Sequence, residues 1–392
     1  MDAQNLYDLS PAVRLMIMGL VVALGPLAWI WARNKSAPVA RRLRVLTLVT
    51  LFLTFDLVIF GAFTRLTDSG LGCPDWPGCY GSASPLGAQL HIEAAQSAMP
   101  SGPVTHSKAW IEMIHRYLAT GVGVLILTLT LVTWMARREQ QRSDKRGGDI
   151  LSPWWPTATL LWVCLQGAFG ALTVTMKLFP AIVTLHLLGG LVLLALLRAQ
   201  SVRYAQAQEQ SRPTILSTAT RRFLLAAFAL LGVQIALGGW VSTNYAVLAC
   251  TDFPGCQGSF WPAMDFSQAF TLWRELGAGH DGGYISFQAL TAIHYVHRLA
   301  AYAVFIVLML LSFSLYSVPA LRQQARWLAG LTLLQVATGL GNVVLGWPLL
   351  AAVGHTGGAA ALVVVLTGIV FSSRKMPVLA RVSPMNASRL SA

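Results

Sequence analysis

The chain has 392 residues, of which 28 are Lys or Arg and 15 are Asp or Glu, giving a formal net charge of +13. Charged residues make up 11 % and apolar residues 55 %, where an ordinary soluble domain carries about 25 % charged residues. That balance excludes a disordered chain, a collagen-like chain and a soluble nucleic-acid binder, and it is the composition of a polytopic membrane protein.

A spanning helix needs about 20 mostly apolar residues. Nine stretches qualify, near 12–32, 43–64, 110–135, 155–176, 180–199, 221–243, 287–317, 324–346 and 349–372. The first starts late, lacks a basic leader and has no small-x-small exit before Arg33, so it reads as a helix and not as a cleaved signal peptide. Two long connections, about 65–109 and 244–286, are rich in Gly, Pro and Ser and read as loops with short helical pieces.

The basic residues fall in alternate connections. They follow span one (Arg33, Lys35, Arg41, Arg42, Arg44) and span three (Arg137, Arg138, Arg142, Lys145, Arg146). They flank the link from span five to six (Arg198, Arg203, Arg212, Arg221, Arg222), lie between seven and eight (Arg322, Arg326), and close the chain (Arg374, Lys375, Arg381, Arg389). The positive-inside rule makes that side the cytoplasm. The charge therefore reports topology, not nucleic acid. The N-terminus is expected in the periplasm of a bacterial inner membrane, the C-terminus inside, and both long loops outside.

The outer loops share a phrase. Cys73-Pro-Asp-Trp-Pro-Gly-Cys79-Tyr-Gly recurs as Cys250-Thr-Asp-Phe-Pro-Gly-Cys256-Gln-Gly, 177 residues on. The helices that follow match too: Ile-His115-Arg116-Tyr-Leu-Ala against Val-His297-Arg298-Leu-Ala-Ala. Gln166-Gly-Ala-Phe-Gly170 echoes Gln335-Val-Ala-Thr-Gly339, and Pro180 with His186 echoes Pro348 with His355. Four matches in one order predict two homologous, parallel four-helix bundles related by an axis along the membrane normal. The expected fold is an all-α polytopic membrane protein of eight core helices plus one extra N-terminal helix. Its parts are 1–42 (extra helix and linker), 43–200 (first repeat), 201–220 (cytoplasmic linker), 221–373 (second repeat) and 374–392 (tail).

Ionisable groups inside a membrane are site candidates. His115, His186, His297 and His355 sit in spans at matching positions, roughly 10 Å below the outer surface at 1.5 Å per residue. Two per bundle, on its second and fourth helices, give a pair of facing imidazoles, which is what a bis-histidine haem needs. A metal without porphyrin would want three or four ligands at one point. Arg116 and Arg298 follow two of these histidines and are candidates for haem propionates; snorkelling to the interface is the plainer reading. Glu112 lies one turn from His115, on nearly the same helix face, where the second repeat has His294. A carboxylate beside a haem can shuttle protons, so the first half is expected to do chemistry and the second to carry electrons. The repeated His-Arg favours His297 over His294 as ligand. Asp56, in span two, is read as pairing with Arg65, serving a proton path or making an interhelical hydrogen bond. His91, His106 and His280 are expected to be solvated. Gly61, Gly170, Gly189, Gly190, Gly238, Gly239, Gly357 and Gly358 permit close helix or porphyrin approach, with simple packing the plainer reading. On the oxidising outer side, Cys73–Cys79 and Cys250–Cys256 are expected as disulfides, with a metal clip as the weaker alternative. Cys164, in span four, is read as packing.

Gly61-Ala-Phe-Thr-Arg65-Leu-Thr-Asp-Ser-Gly70-Leu-Gly-Cys73 through Cys79, Glu112-x-x-His115-Arg116, and Gly239-Trp-Val-Ser-Thr-Asn followed by the second cysteine phrase together resemble the haem A synthase family over roughly residues 43–372. Span one lies outside that eight-helix pattern. The resemblance implies a haem-dependent membrane oxidoreductase that converts the C8 methyl of haem O to the formyl of haem A, through hydroxymethyl and geminal-diol stages, for cytochrome oxidase. It implies haem O on His115 and His186, haem b on His297 and His355, and Glu112 as the acid–base residue. The implied partners are haem O, the haem O synthase, a redox donor and membrane lipid, with homo-oligomerisation left open. The rival readings are a di-haem b electron carrier linked to quinol, a transporter with parallel repeats, and a redox sensor using the cysteine pairs.

Overall fold

The computed structural model describes residues 10–142, 152–208, 212–279 and 283–375. Its helices are α1 (Ser10–Arg33), α2 (Val39–Leu66), α3 (Gln89–Ala98), α4 (His106–Arg142), α5 (Trp154–Thr175), α6 (Pro180–Ala207), α7 (Thr218–Thr243), α8 (Phe266–Ala269), α9 (Phe287–Tyr316), α10 (Arg322–Val344) and α11 (Leu349–Ser372). Among the described residues, nine of these are long and apolar enough to cross a membrane, and they match the nine stretches expected. The chain is an all-α polytopic membrane protein. His280, Lys145, Arg146, Arg381 and Arg389 lie outside the described residues.

Local chemistry sets the helix ends. Pro180 opens α6 at a position where its missing N–H costs nothing. Ser217 and Ser286 cap α7 and α9 by accepting from Thr220 N and Ala289 N, both at 3.1 Å. Helix α4 runs longer at both ends than its apolar window. Thr105 caps its start by accepting from Lys108 N at 3.3 Å, and its last two turns are arginine-rich and exposed to water, where arginine is a good helix former.

The spans form two closed rings of neighbours. Helices α2, α4, α5 and α6 make the first, and α7, α9, α10 and α11 the second. Helix α1 stands outside both and packs on α4. A side chain at Gly19 would overlap Thr120, and one at Gly121 would meet Val22 at 2.9 Å, so small residues let these two helices touch.

The rings join through α2 and α6 on one side and α7 and α11 on the other. Leu191, Leu194 and Leu197 of α6 meet Leu362, Leu366 and Ile369 of α11 in the largest apolar core. At the outer end, Arg65 Nη2 donates to Ser242 O at 2.7 Å, and the Tyr245 hydroxyl donates to Asp68 at 2.7 Å. Each pair is separated by 177 residues, so its members occupy the same place in the two repeats. Equivalent positions touch only near the axis that relates them. At the opposite end, β1 (Thr214–Leu216) pairs in parallel with β2 (Ser373–Lys375) and ties the inter-repeat linker to the end of α11.

Two sequence readings are corrected. Arg65 pairs with Asp68 at 3.4 Å and lies over the Tyr245 ring, not with Asp56; Asp56 is nine residues deeper on the same helix, ~13 Å away. Cys164 is exposed and not packed. It shares the outer surface of α5 with exposed Leu161 and Leu165.

Candidate functional site

In each ring the histidines sit on the two diagonal helices and face small residues on the two helices between. His115 of α4 lies against Gly61 of α2, and His186 of α6 against Gly170 of α5. His297 of α9 lies against Gly238 of α7, and His355 of α11 against Gly339 of α10. A methyl group at these glycines would stand 3.0, 3.4, 3.0 and 3.2 Å from the Cε1 of the facing imidazole. Each ring therefore rests on bare backbone; a side chain at Gly61, Gly238 or Gly339 must shift it by a few tenths of an ångström, while one at Gly170 meets it at ordinary contact. All four residues are half-buried. His115 and His186 lie within electrostatic reach of each other, as do His297 and His355. Phe60 stacks on His115 at 6.2 Å between centroids and 12° between planes.

Two facing imidazoles on opposite walls of a four-helix ring, with neither using Nε2 in a hydrogen bond among the described residues, fit an iron porphyrin clamped from both sides. The buried Nδ1 atoms of His115 and His186, which lack partners, show rings not committed to protein hydrogen bonds. Among the described residues no cluster of three or more His, Cys, Asp or Glu could hold a bare metal ion.

The two long loops close over the rings in matching ways. Both cysteine pairs are disulfide-bonded, with Cα atoms 4.9 and 4.8 Å apart. Between each pair an aspartate folds the loop onto itself. Asp75 accepts from Tyr80 N at 2.6 Å and Gly81 N at 2.8 Å; Asp252 accepts from Gln257 N at 2.7 Å and Gly258 N at 2.9 Å. Gly81 and Gly258 both have φ of +71°, which glycine adopts without a Cβ penalty. That explains the Asp and the final Gly of the shared phrase. The Gly258 and Gln257 N–H groups hold the Asp252 carboxyl below its ordinary pKa.

The arginines next to the histidines strap these loops down. Arg116 Nη1 donates to the carbonyls of Asp75 at 3.0 Å, Pro77 at 3.2 Å and Gly78, while its Nη2 reaches Glu112 at 2.5 Å. Glu112 accepts from Cys73 N at 2.8 Å with its other oxygen. Arg298 repeats the strap, donating to Asp252, Gly255 and Cys250 carbonyls at 2.8, 2.8 and 2.7 Å. Its Nε donates to His294 Nε2 at 3.2 Å, so His294 answers Glu112 in the loop anchor while His297 stays against Gly238. Both guanidinium groups are thus engaged by the loops. The other loop histidines have neighbours: His91 stacks on Tyr80 at 5.4 Å, and His106 lies 3.8 Å from Glu93.

Sequence reasoning missed two residues that touch the site. Thr338 Oγ1 is 2.9 Å from His355 Nδ1, and Gln234 Nε2 is 3.1 Å from His297 Nδ1. Each lies four residues from, or next to, a glycine that faces the same histidine; that spacing was the available signal.

Residues 44–367 match the family described as Cytochrome oxidase assembly protein (COX15-CtaA). The chain belongs to this family. A curated relative from Shewanella oneidensis named Heme A synthase is 38 % identical, covering 82 % of this chain and 93 % of the relative. Relatives of the same name from Mesorhizobium japonicum and Caulobacter vibrioides are 27 % and 26 % identical, covering 79 % and 87 % of this chain and 84 % and 98 % of theirs. The family match begins at residue 44, so α1 and the start of α2 lie before it.

Proposed function

We propose that this chain is a haem A synthase, a haem-dependent membrane oxidoreductase that converts the C8 methyl of haem O to a formyl group with haem b as resident cofactor. The observation that carries the reading is the pair of helix rings, each with two diagonal histidines seated on glycines, in a member of this family. Residues 43–200 are the substrate half, with His115 and His186 holding haem O. Residues 221–373 are the haem b half, with His297 and His355 as ligands. A bound haem supplies one-electron chemistry at its iron; positioning, sealing and proton handling fall to the protein.

Glu112 is the proton-handling residue of this reading. It is buried, one helical turn on the outer side of His115, and its charge is balanced by Arg116. It takes up a proton only by loosening its bonds to Arg116 and Cys73 N, so proton transfer and loop movement are coupled. Arg116 and Arg298 pair with propionates only if they exchange some of their loop carbonyls, and their first task is to hold the loops. The strapped loops lie over the ring ends and limit the entry of water, which strengthens electrostatic interactions inside. The positive-inside rule applied to the basic connections supports an N-terminus in the periplasm of a bacterial inner membrane and a tail in the cytoplasm. Haem O reaches the first ring laterally from the haem O synthase, its farnesyl chain remaining in lipid.

Expression in a bacterial host that makes haem O but no haem A tests the reading. Haem A should appear in extracts with the parent chain, and haem O should persist with Glu112→Gln. Absence of haem A with the parent chain folded in the membrane overturns it.

A further inference from the structure

The four imidazoles are not held alike. The Thr338 hydroxyl donates its proton to the Leu334 carbonyl at 2.8 Å. What it offers His355 Nδ1, 2.9 Å away, is a lone pair. A hydroxyl engaged in this way can accept from Nδ1–H, and that tautomer leaves the Nε2 lone pair for a metal. Gln335 Nε2 donates to His355 O at 2.9 Å and steadies the backbone below the ring. In the same bundle, Gln234 spans His297 Nδ1 at 3.1 Å and His297 O at 3.2 Å. The bond to His297 O fixes the Nε2 end of the amide toward the ring, so Gln234 steadies the His297 backbone as Gln335 does that of His355.

The first ring lacks both devices. Nδ1 of His115 and of His186 is buried without a hydrogen-bond partner. His186 lies toward the Gln166 backbone as His355 lies toward that of Gln335, so that approach is common to both halves and the Thr338 hydroxyl is what differs. The repeat explains the difference. Phe169 stands where the second half has Thr338, and Leu57 stands where it has Gln234. Neither side chain can accept a proton.

We propose that Thr338 is an orientation lock that makes His355 a permanent haem ligand, and that the absence of such a lock leaves His115 and His186 free to release one haem and take another. The proposal rests on the reading that both rings hold haem. A cofactor must survive every turnover, whereas a substrate must enter and its product leave. Partners that orient a metal-bound histidine typically contribute 10–100-fold in metal affinity, which suffices to separate the two behaviours. Thr338 acts through His355 and is a positioning residue.

The test uses the haem-loaded protein purified in detergent. Thr338→Val keeps the shape and removes the acceptor. Its haem b should pass to apomyoglobin at least about tenfold faster than from the parent, and the low-spin ferric EPR signal of that haem should shift. Thr338→Ser should restore both. If the valine chain does not accumulate, Thr338→Ala gives the same two readouts. A parental loss rate and EPR spectrum in the variant lacking the hydroxyl overturn the lock. Failure of the underlying haem reading looks different: the parent carries no haem, or His355→Ala keeps its full haem b.

Discussion

Replacing Glu112 with leucine should open the first outer loop and leave the second closed. The carboxylate and the Arg116 guanidinium form a buried pair at 2.5 Å, with side chains 5 % and 8 % exposed. Glu112 also satisfies the N–H of Cys73. Leucine removes the counter-charge and one acceptor while Arg116 stays buried. Removing one partner of a buried pair costs ~3–5 kcal/mol. Arg116 keeps its three loop carbonyls, so the lower end applies. At 1.36 kcal/mol per decade, about 3 kcal/mol raises the open fraction of the loop roughly a hundredfold. Cleavage by a dilute protease tracks that open fraction when closing is fast. The assay is limited proteolysis of detergent-solubilised protein, with fragments located by mass spectrometry. Cleavage within residues 72–83 should accelerate about a hundredfold, while cleavage within 250–259, held by Arg298, stays at the parental rate. Equal rates in parent and variant at the first loop would refute the claim that this ion pair anchors it.

Gly238→Val should empty the second ring selectively, because a branched side chain there displaces His297. An overpacking cost of ~1–3 kcal/mol predicts most haem b lost on purification, and full haem b retention would contradict it. Gly61→Val should do the same to the first ring, lowering its haem O or haem A content while haem b stays. Gly19→Leu should lift α1 off α4 by overlap with Thr120; cysteine crosslinking between the two helices should fail while haem content is unchanged, and persistent crosslinking would show that the crossing is not tight. The depressed Asp252 pKa implies loop stability that is complete above the unfolded carboxyl value of about 3.9 and is lost as pH falls through the lower folded value. Amide protection at Gln257 and Gly258 should hold from pH 7 to about 5 and fall only below about 4; loss near pH 6 would assign it to another group.

Much of this was legible because membrane constraints are strict. Twenty apolar residues have one use, so the nine spans could be read from composition alone. The repeat located the four histidines by position. It could not tell that the arginines beside them serve the loops, because a guanidinium suits a carbonyl cluster and a propionate equally well. Asp56 and Arg65 shared a helix with opposite charge, yet their depths differ by more than two turns, and sequence proximity hid that. The aspartate inside each cysteine phrase looked like a surface charge until two left-handed residues placed two N–H groups on it. Thr338 and Gln234 were invisible for a related reason: they differ between the repeats, and similarity draws attention to what the halves share.

The most direct test of the central claim is the haem inventory of the purified chain, by pyridine haemochrome spectrum and solvent extraction, beside His115→Ala and His297→Ala. The account predicts haem b together with haem O or haem A in the parent. It predicts loss of the farnesylated haem from the first variant and loss of haem b from the second. A parent that carries no haem, or two variants that lose the same haem, would contradict it.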